Sequence, residues 1–163
     1  MNEYPLAFRF EDSVPLAESK AGSLTWAFIN LSGRALMAKV GDQWWMLGVS
    51  PSGIAESGGS PGEAHARFLA ALMAYFIETA GRGGGYEAFR DEVERFAAEC
   101  DPVEGARWHA LAGAIRSGEL IPEAPFSGLK RVPHESGIPP VTVSCGVAIA
   151  GREPAHGLRA VAA

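Results

Sequence analysis

Between Phe68 and Ile77 the chain reads FLAALMAYFI, without a single charge. Ala64, Phe68, Leu72, Tyr75 and Phe76 recur at the spacing of one helix face, and Leu69, Met73 and Ile77 fill the others. A helix that is apolar all round needs cover on more than one side. The run falls well short of the roughly 20 residues that span a bilayer, so a membrane helix is rejected. One side of this helix must lie on a sheet, and the other must be covered by more of this chain or by a second subunit.

The residues upstream supply the helix start and the sheet. Ser60 can accept from first-turn amides, Pro61 sits where a missing N–H costs nothing, and Glu63 can bond back to the cap. Gly41-Asp42 separates the apolar runs Ala35–Val40 and Trp44–Val49, which is the signal for a hairpin. Ser50-Pro51-Ser52-Gly53 then turns the chain, and Gly53–Ser57 rejoins the sheet as a short strand. Leu6, Phe8 and Phe10 alternate with Ala7, Arg9 and Glu11, which predicts a first strand with one buried face. Glu11–Ser23 contains Pro15 and is predicted to be a connection, with a short turn near Leu16–Lys20. Leu24–Leu31 reads as a second strand that Ser32-Gly33-Arg34 turns back into Ala35–Val40.

Strands, a Pro-Ser-Gly turn, a short strand and then Gly-Ser-Pro-Gly-Glu-Ala-His-Ala opening an apolar helix resemble the N-terminal domain of HicB-like antitoxins. That family carries a Pro-Asp-Leu-Pro-Gly type of turn before a Gly-Asp-Thr-x-Glu-Glu-Ala helix start. Pro51, Gly53, Gly59, Ser60, Glu63 and Ala64 fit the pattern, and the Asp of the family turn is absent. The match covers about residues 35–80. The resemblance implies a reduced ribonuclease H-like fold, a small sheet with one helix packed on it, in a domain that binds a small toxin protein and is not itself a nuclease. Such antitoxins often continue into a C-terminal DNA-binding segment. Here no recognition helix rich in Arg and Lys follows, so direct nucleic-acid binding is not expected.

Gly81-Arg82-Gly83-Gly84-Gly85 ends the apolar helix. As a phosphate cradle it fails, because the Gly-x-Gly-x-x-Gly spacing breaks at Tyr86 and no Lys-Ser or Lys-Thr follows. Tyr86, Phe89, Val93, Phe96 and Cys100 mark one face of a second helix whose other face carries Arg90, Asp91, Glu94 and Arg95. Asp101-Pro102-Val103-Glu104 caps a third helix with Trp108, Leu111, Ala112 and Ile115 as its apolar stripe and Gly118 as its stop. The two helices, at about residues 86–117, read as an inserted αα-hairpin that covers the outer face of the apolar helix. Leu120–Pro125 resembles the Pro-rich exit of HicB-like domains, and Phe126–Pro140 reads as an extended loop. Val141, Val143, Cys145, Val147 and Ile149 alternate with small residues as a last strand. The predicted organisation is a single α+β domain over residues 1–150, mainly an antiparallel sheet with one principal helix and the helical insertion, followed by a loose tail at 151–163 in which Ala155–Val161 can form a short helix.

A net charge of −5 argues against nonspecific nucleic-acid binding, which needs clustered Lys and Arg. It suits a basic protein partner, and equally an ordinary cytosolic domain. The acidic start, MNEYPLAFRFED, lacks the plan of a signal peptide, so a cytoplasmic protein is expected. Cys100, at a helix end, and Cys145, in the stripe of the last strand, suggest neither a disulfide framework nor a zinc site and read as buried free thiols.

No constellation of catalytic, cofactor-binding or metal-ligating residues emerges. His65, His109, His134 and His156 lack metal spacing, and none pairs with Cys as nucleophile and base. A two-magnesium nuclease needs converging carboxylates. Glu11, Asp12 and Asp42 are predicted in turns, Glu56 in the short strand, and Glu63 is used in capping. Ser50, Ser52 and Ser60 have turn or cap roles, and no Gly-x-Ser-x-Gly exists. Among Trp26, Trp44, Trp45 and Trp108, the adjacent pair must project to opposite faces of its strand, and aromatic residues are favoured at interfaces. Only Lys39 lies near that pair, too little cation for a nucleic-acid surface. The candidate interaction residues are therefore Trp44, Trp45 and Trp26, with Pro51, Gly53, Ser60, Pro61 and Glu63 as the structural motif. The expected function is a non-catalytic HicB-like protein-binding module, without a cofactor, that masks a small basic partner and forms a homodimer or higher homo-oligomer. The alternatives are an orphan scaffold or oligomerisation protein and a small cytosolic hydrolase or nuclease.

Overall fold

The computed structural model describes residues 3–16, 24–128 and 140–148. In chain order the elements are β1 (Glu3–Leu16), β2 (Leu24–Val40), β3 (Gln43–Ser50), β4 (Ser52–Gly58), α1 (Pro61–Gly81), α2 (Gly85–Ala98), α3 (Pro102–Ser117) and β5 (Val141–Ala148). They form an α+β fold in which every strand pairing is antiparallel. The long strand β2 organises the sheet. It pairs with β1 along one side, while its other side is shared between β5, opposite Leu24–Leu31, and β3, opposite Arg34–Val40.

Two predicted breaks are strand. Ser32-Gly33-Arg34 does not turn the chain; β2 runs straight through it. Gly33 is there for room rather than for a turn, since a Cβ on it would lie 2.6 Å from Phe8 Cε1 and 2.6 Å from the Ser50 carbonyl oxygen. Likewise β1 continues past Glu11 to Leu16, with Pro15 opposite Trp26. Proline is tolerated there because β1 is an edge strand, where a missing donor can face away from the ladder. The turn predicted near Leu16–Lys20 lies mostly outside the described residues, as do much of the Phe126–Pro140 loop, the end of the last strand and the tail at 151–163.

One sheet face carries Phe8, Phe10, Val14, Ile29, Leu31, Ala35, Met37 and Met46, all buried. α1 lies on it with Ala64, Phe68, Leu72 and Phe76 fully buried, and Phe8 meets Phe68 and Phe10 meets Phe76 at 5.1 and 5.2 Å between ring centroids. Each large side chain so buried contributes about 1.5–3 kcal/mol. At the start of α1 Ser60 caps as predicted, its Oγ accepting from the Glu63 N–H at 3.1 Å, while the Glu63 carboxylate reaches one residue past the cap and accepts from the Gly59 N–H at 2.8 Å. α2 lies beside α1, stacking Phe96 on Tyr75 at 4.1 Å and burying Phe89 and Val93.

α3 does not join α2 over α1 as the hairpin reading expected. The link at Glu99–Asp101 is tied to the β3–β4 corner, where the Ser52 N–H donates to the Glu99 carbonyl and the Asp101 N–H to that of Val49. Beyond it α3 contacts β1, β2 and β3 on the opposite sheet face. Trp108 Nε1–H donates to the Leu6 carbonyl at 3.0 Å, and Arg107 pairs with Glu3. Leu36 and Ala38, which alternate with the α1-facing Ala35 and Met37, are consequently buried as well. The physical reason is that β2 is apolar on both faces in this stretch, and such a strand needs cover on both. Among the described residues, no helix is long and apolar enough to cross a membrane.

Candidate interaction surface

The strand register sorts the tryptophans. Trp44 stands opposite Lys39 and faces α1; half-buried, it meets the Phe126 ring at 5.7 Å, while Lys39 Nζ sits 5.7 Å from the Trp44 centroid. Phe126, which sequence reasoning left inside a loop, is a buried anchor that also packs on Tyr4 at 4.2 Å. Trp45 stands opposite Ala38 and so projects from the far face, where it is 38% exposed. Trp26 shares that far face with Leu36 and Ala38 but lies twelve residues before Ala38 on β2, roughly 40 Å away along an extended strand. Its ring is half-buried, and Nε1 is buried without a hydrogen-bond partner among the described residues. The three candidate residues are therefore not brought together.

A different grouping emerges. Among the described residues, the large apolar side chains of the sheet that stay exposed are Leu24, Phe28, Val40 and Trp45. By register all four lie on the far face. α3 crosses the middle of that face, leaving Val40 and Trp45 at one end and Leu24, Trp26 and Phe28 at the other. Its own cover is thin: its one buried residue is Gly105, and Trp108, Leu111, Ala112 and Ile115 are only half-buried. The sequence did carry a signal for Leu24 and Phe28: Leu24–Leu31 has apolar residues at both parities, one set more than a half-buried strand requires.

The polar groupings hold elements together. Tyr75 on α1 donates its hydroxyl proton to Glu92 on α2 at 3.1 Å, and Arg95 donates to the same carboxylate. The Arg95 hydrogen bonds, then that from Tyr75, hold the Glu92 carboxyl down at about 2. Burial, followed by the Glu92 contact, raises Tyr75 above its ordinary value. A carboxylate so neutralised is a poor proton carrier near neutral pH. On the far face, Arg34 lies 5.6 Å from the Trp108 centroid and donates to His109 Nε2 at 2.9 Å, which requires a neutral imidazole with its proton on Nδ1. His65 is half-buried on α1, and burial lowers its pKa. His134 and His156 lie outside the described residues.

Among the described residues no three His, Cys, Asp or Glu side chains gather as a metal site would require. Cys100 and Cys145 are free but exposed, not buried as their apolar stripes implied. Cys145 sits on β5, which among the described residues has a neighbouring strand, β2, on one flank only. Comparison of the chain with protein-family models, with curated proteins and with solved structures finds no match.

Proposed function

We propose that the chain is a non-catalytic protein-binding module of the HicB-like kind, which masks a small basic partner at the Val40–Trp45 end of its far sheet face. The observation that carries this reading is that Val40 and Trp45, both exposed, lie side by side on the far face at that end of the sheet. Neighbouring exposed apolar side chains of this size are what a protein partner covers on binding. Trp45 supplies a large ring at low entropic cost, the kind of anchor that dominates binding energy. Asp42, exposed in the adjoining hairpin turn, and the overall charge of −5 favour a cationic partner and speed its approach. The capped start of α1 at Ser60 and Glu63, and Pro51 buried at the β3–β4 corner, agree with the motif positions of the resemblance. Masking acts by mass action, through burial of the partner's working surface.

The test is affinity capture from native extract with the wild-type chain and with Trp45→Lys. A stoichiometric basic protein held by the wild type and lost with Trp45→Lys supports the reading. Equal capture by both chains, or no protein other than the chain itself, overturns it.

A further inference from the structure

The three outer edges of the sheet are not alike. The Ser32 N–H donates to the Pro140 carbonyl at 2.8 Å, and the β2–β5 register continues from that pair. Even-numbered residues of β5 therefore turn their backbone groups to β2, and Val141, Val143, Cys145 and Val147 turn theirs outward. The Tyr86 hydroxyl, donating to the Val143 carbonyl at 2.8 Å, agrees with this. Across β2 the same alternation points the odd residues of β1 outward. Two of these, Pro5 and Pro15, have no N–H, and a third, Ser13, donates its own to Asp12 Oδ1 at 2.8 Å. On the outer side of β4, the Ser52 N–H is taken by the Glu99 carbonyl and the Ser57 carbonyl by Arg67. Edges are commonly blunted by proline, by charge and by such local cover. β5 has neither a charge nor a proline, and among the described residues no strand pairs with its outer side at Cys145 and Val147.

The open edge adjoins the second half of the exposed apolar face. Phe28, 39% exposed, leans across Gly146, where a Cβ would come within 2.6 Å of its ring, and Leu24 stands opposite Ala148. We infer that the occupant of this edge is a second copy of the chain, its β5 antiparallel to the first about a two-fold axis at Gly146. Cys145 then faces Val147 of the second copy and the reverse, so the outward groups left free by Tyr86 satisfy one another. The two β2 strands come to lie about three strand spacings apart, roughly 14 Å, and the Phe28 rings of both copies close over the junction. An edge without charge is complementary to itself, as a two-fold contact requires. The contact is small, below about 1,200 Å², so association is weak and concentration-dependent. It uses the end of the far face remote from Trp45 and stands or falls independently of the partner reading.

The experiment is sedimentation equilibrium of the full chain under reducing conditions from about 1 µM to about 1 mM. The wild type is expected to rise from the mass of one chain, 17.2 kDa, toward twice that value. Cys145→Pro removes an outward N–H while sparing the ladder to β2, so it should keep the wild-type circular dichroism and weaken association at least tenfold. Ser144→Lys, a charge at an exposed position beside the axis, carries the test where the proline variant does not fold. A wild type that stays monomeric throughout, or a folded Cys145→Pro or Ser144→Lys chain that associates like the wild type, overturns the inference.

Discussion

Replacing Gly33 with alanine tests the close packing of Phe8, which itself meets Phe68 of α1, against the backbone of β2. In an open strand Gly→Ala is stabilising, because it restricts the unfolded chain. Here the new methyl would stand 2.6 Å from Phe8 Cε1 and 2.6 Å from the Ser50 carbonyl oxygen, against 3.4–4 Å for an ordinary contact. About 1 Å of movement is therefore needed. The Phe8 ring cannot retreat, being 4% exposed and edge-on to Phe68 at 5.1 Å, and the Ser50 oxygen belongs to the backbone of β3. Overpacking of this kind costs about 1–3 kcal/mol, and the upper half of that range is expected because both obstacles are fixed. For a chain of this length, 2–3 kcal/mol lowers Tm by roughly 4–12 °C. Adding Phe8→Leu should restore about 1 kcal/mol of the loss, visible as coupling in a double-mutant cycle by urea denaturation. Gly62→Ala, with nothing within 4 Å of the new methyl, serves as the control and should be neutral or mildly stabilising. A Gly33→Ala chain as stable as the wild type, with Phe8 intact, would refute the reasoning.

Three further outcomes are expected. Ser60→Ala removes the acceptor for the Glu63 N–H and should cost about 1 kcal/mol in urea denaturation. Trp108→Phe keeps a ring but loses the hydrogen bond to the Leu6 carbonyl, about 1 kcal/mol; amide exchange should quicken in α3 and stay unchanged in α1. Two groups shape successive steps of the acid side of one pH profile. His65 is held below its ordinary 6.5 by burial, so the unfolded chain binds the proton more readily, and stability present above pH 6.5 is lost as pH falls from there. Glu92, lowered to about 2 from 4.5, contributes stability present above pH 4.5 and lost between there and about pH 2. His65→Gln and Glu92→Gln should each flatten only their own part of the denaturation profile.

Elements whose signal is local were legible from residue order. The cap at Ser60 and Glu63, the apolar run of α1, the hairpin at Gly41-Asp42 and the alternation of β5 each depend on neighbours close in sequence. Gly33 and Pro15 were misread as breaks because their roles are set by residues far along the chain. Phe8, pressed against Gly33, decides the one, and the edge position of β1 decides the other. The path of α3 was hidden for the same reason: its stripe at Trp108, Leu111 and Ile115 fits either side of the sheet, and the tie at Glu99–Asp101 to the β3–β4 corner selects the far one. Among the candidate interaction residues, the opposed projections of Trp44 and Trp45 followed from strand geometry alone. Which of them stays exposed depended on Phe126, which packs on Trp44 from a segment without periodicity.

The proposed function places the partner on Trp45 and its face of the sheet, and hydroxyl-radical footprinting of the chain alone and in complex with its captured partner reads that face side chain by side chain. Trp45 and Val40 should be labelled in the chain alone and protected in the complex, with Trp44 unchanged between the two. Trp45 labelled as strongly in the complex as in the chain alone would contradict it.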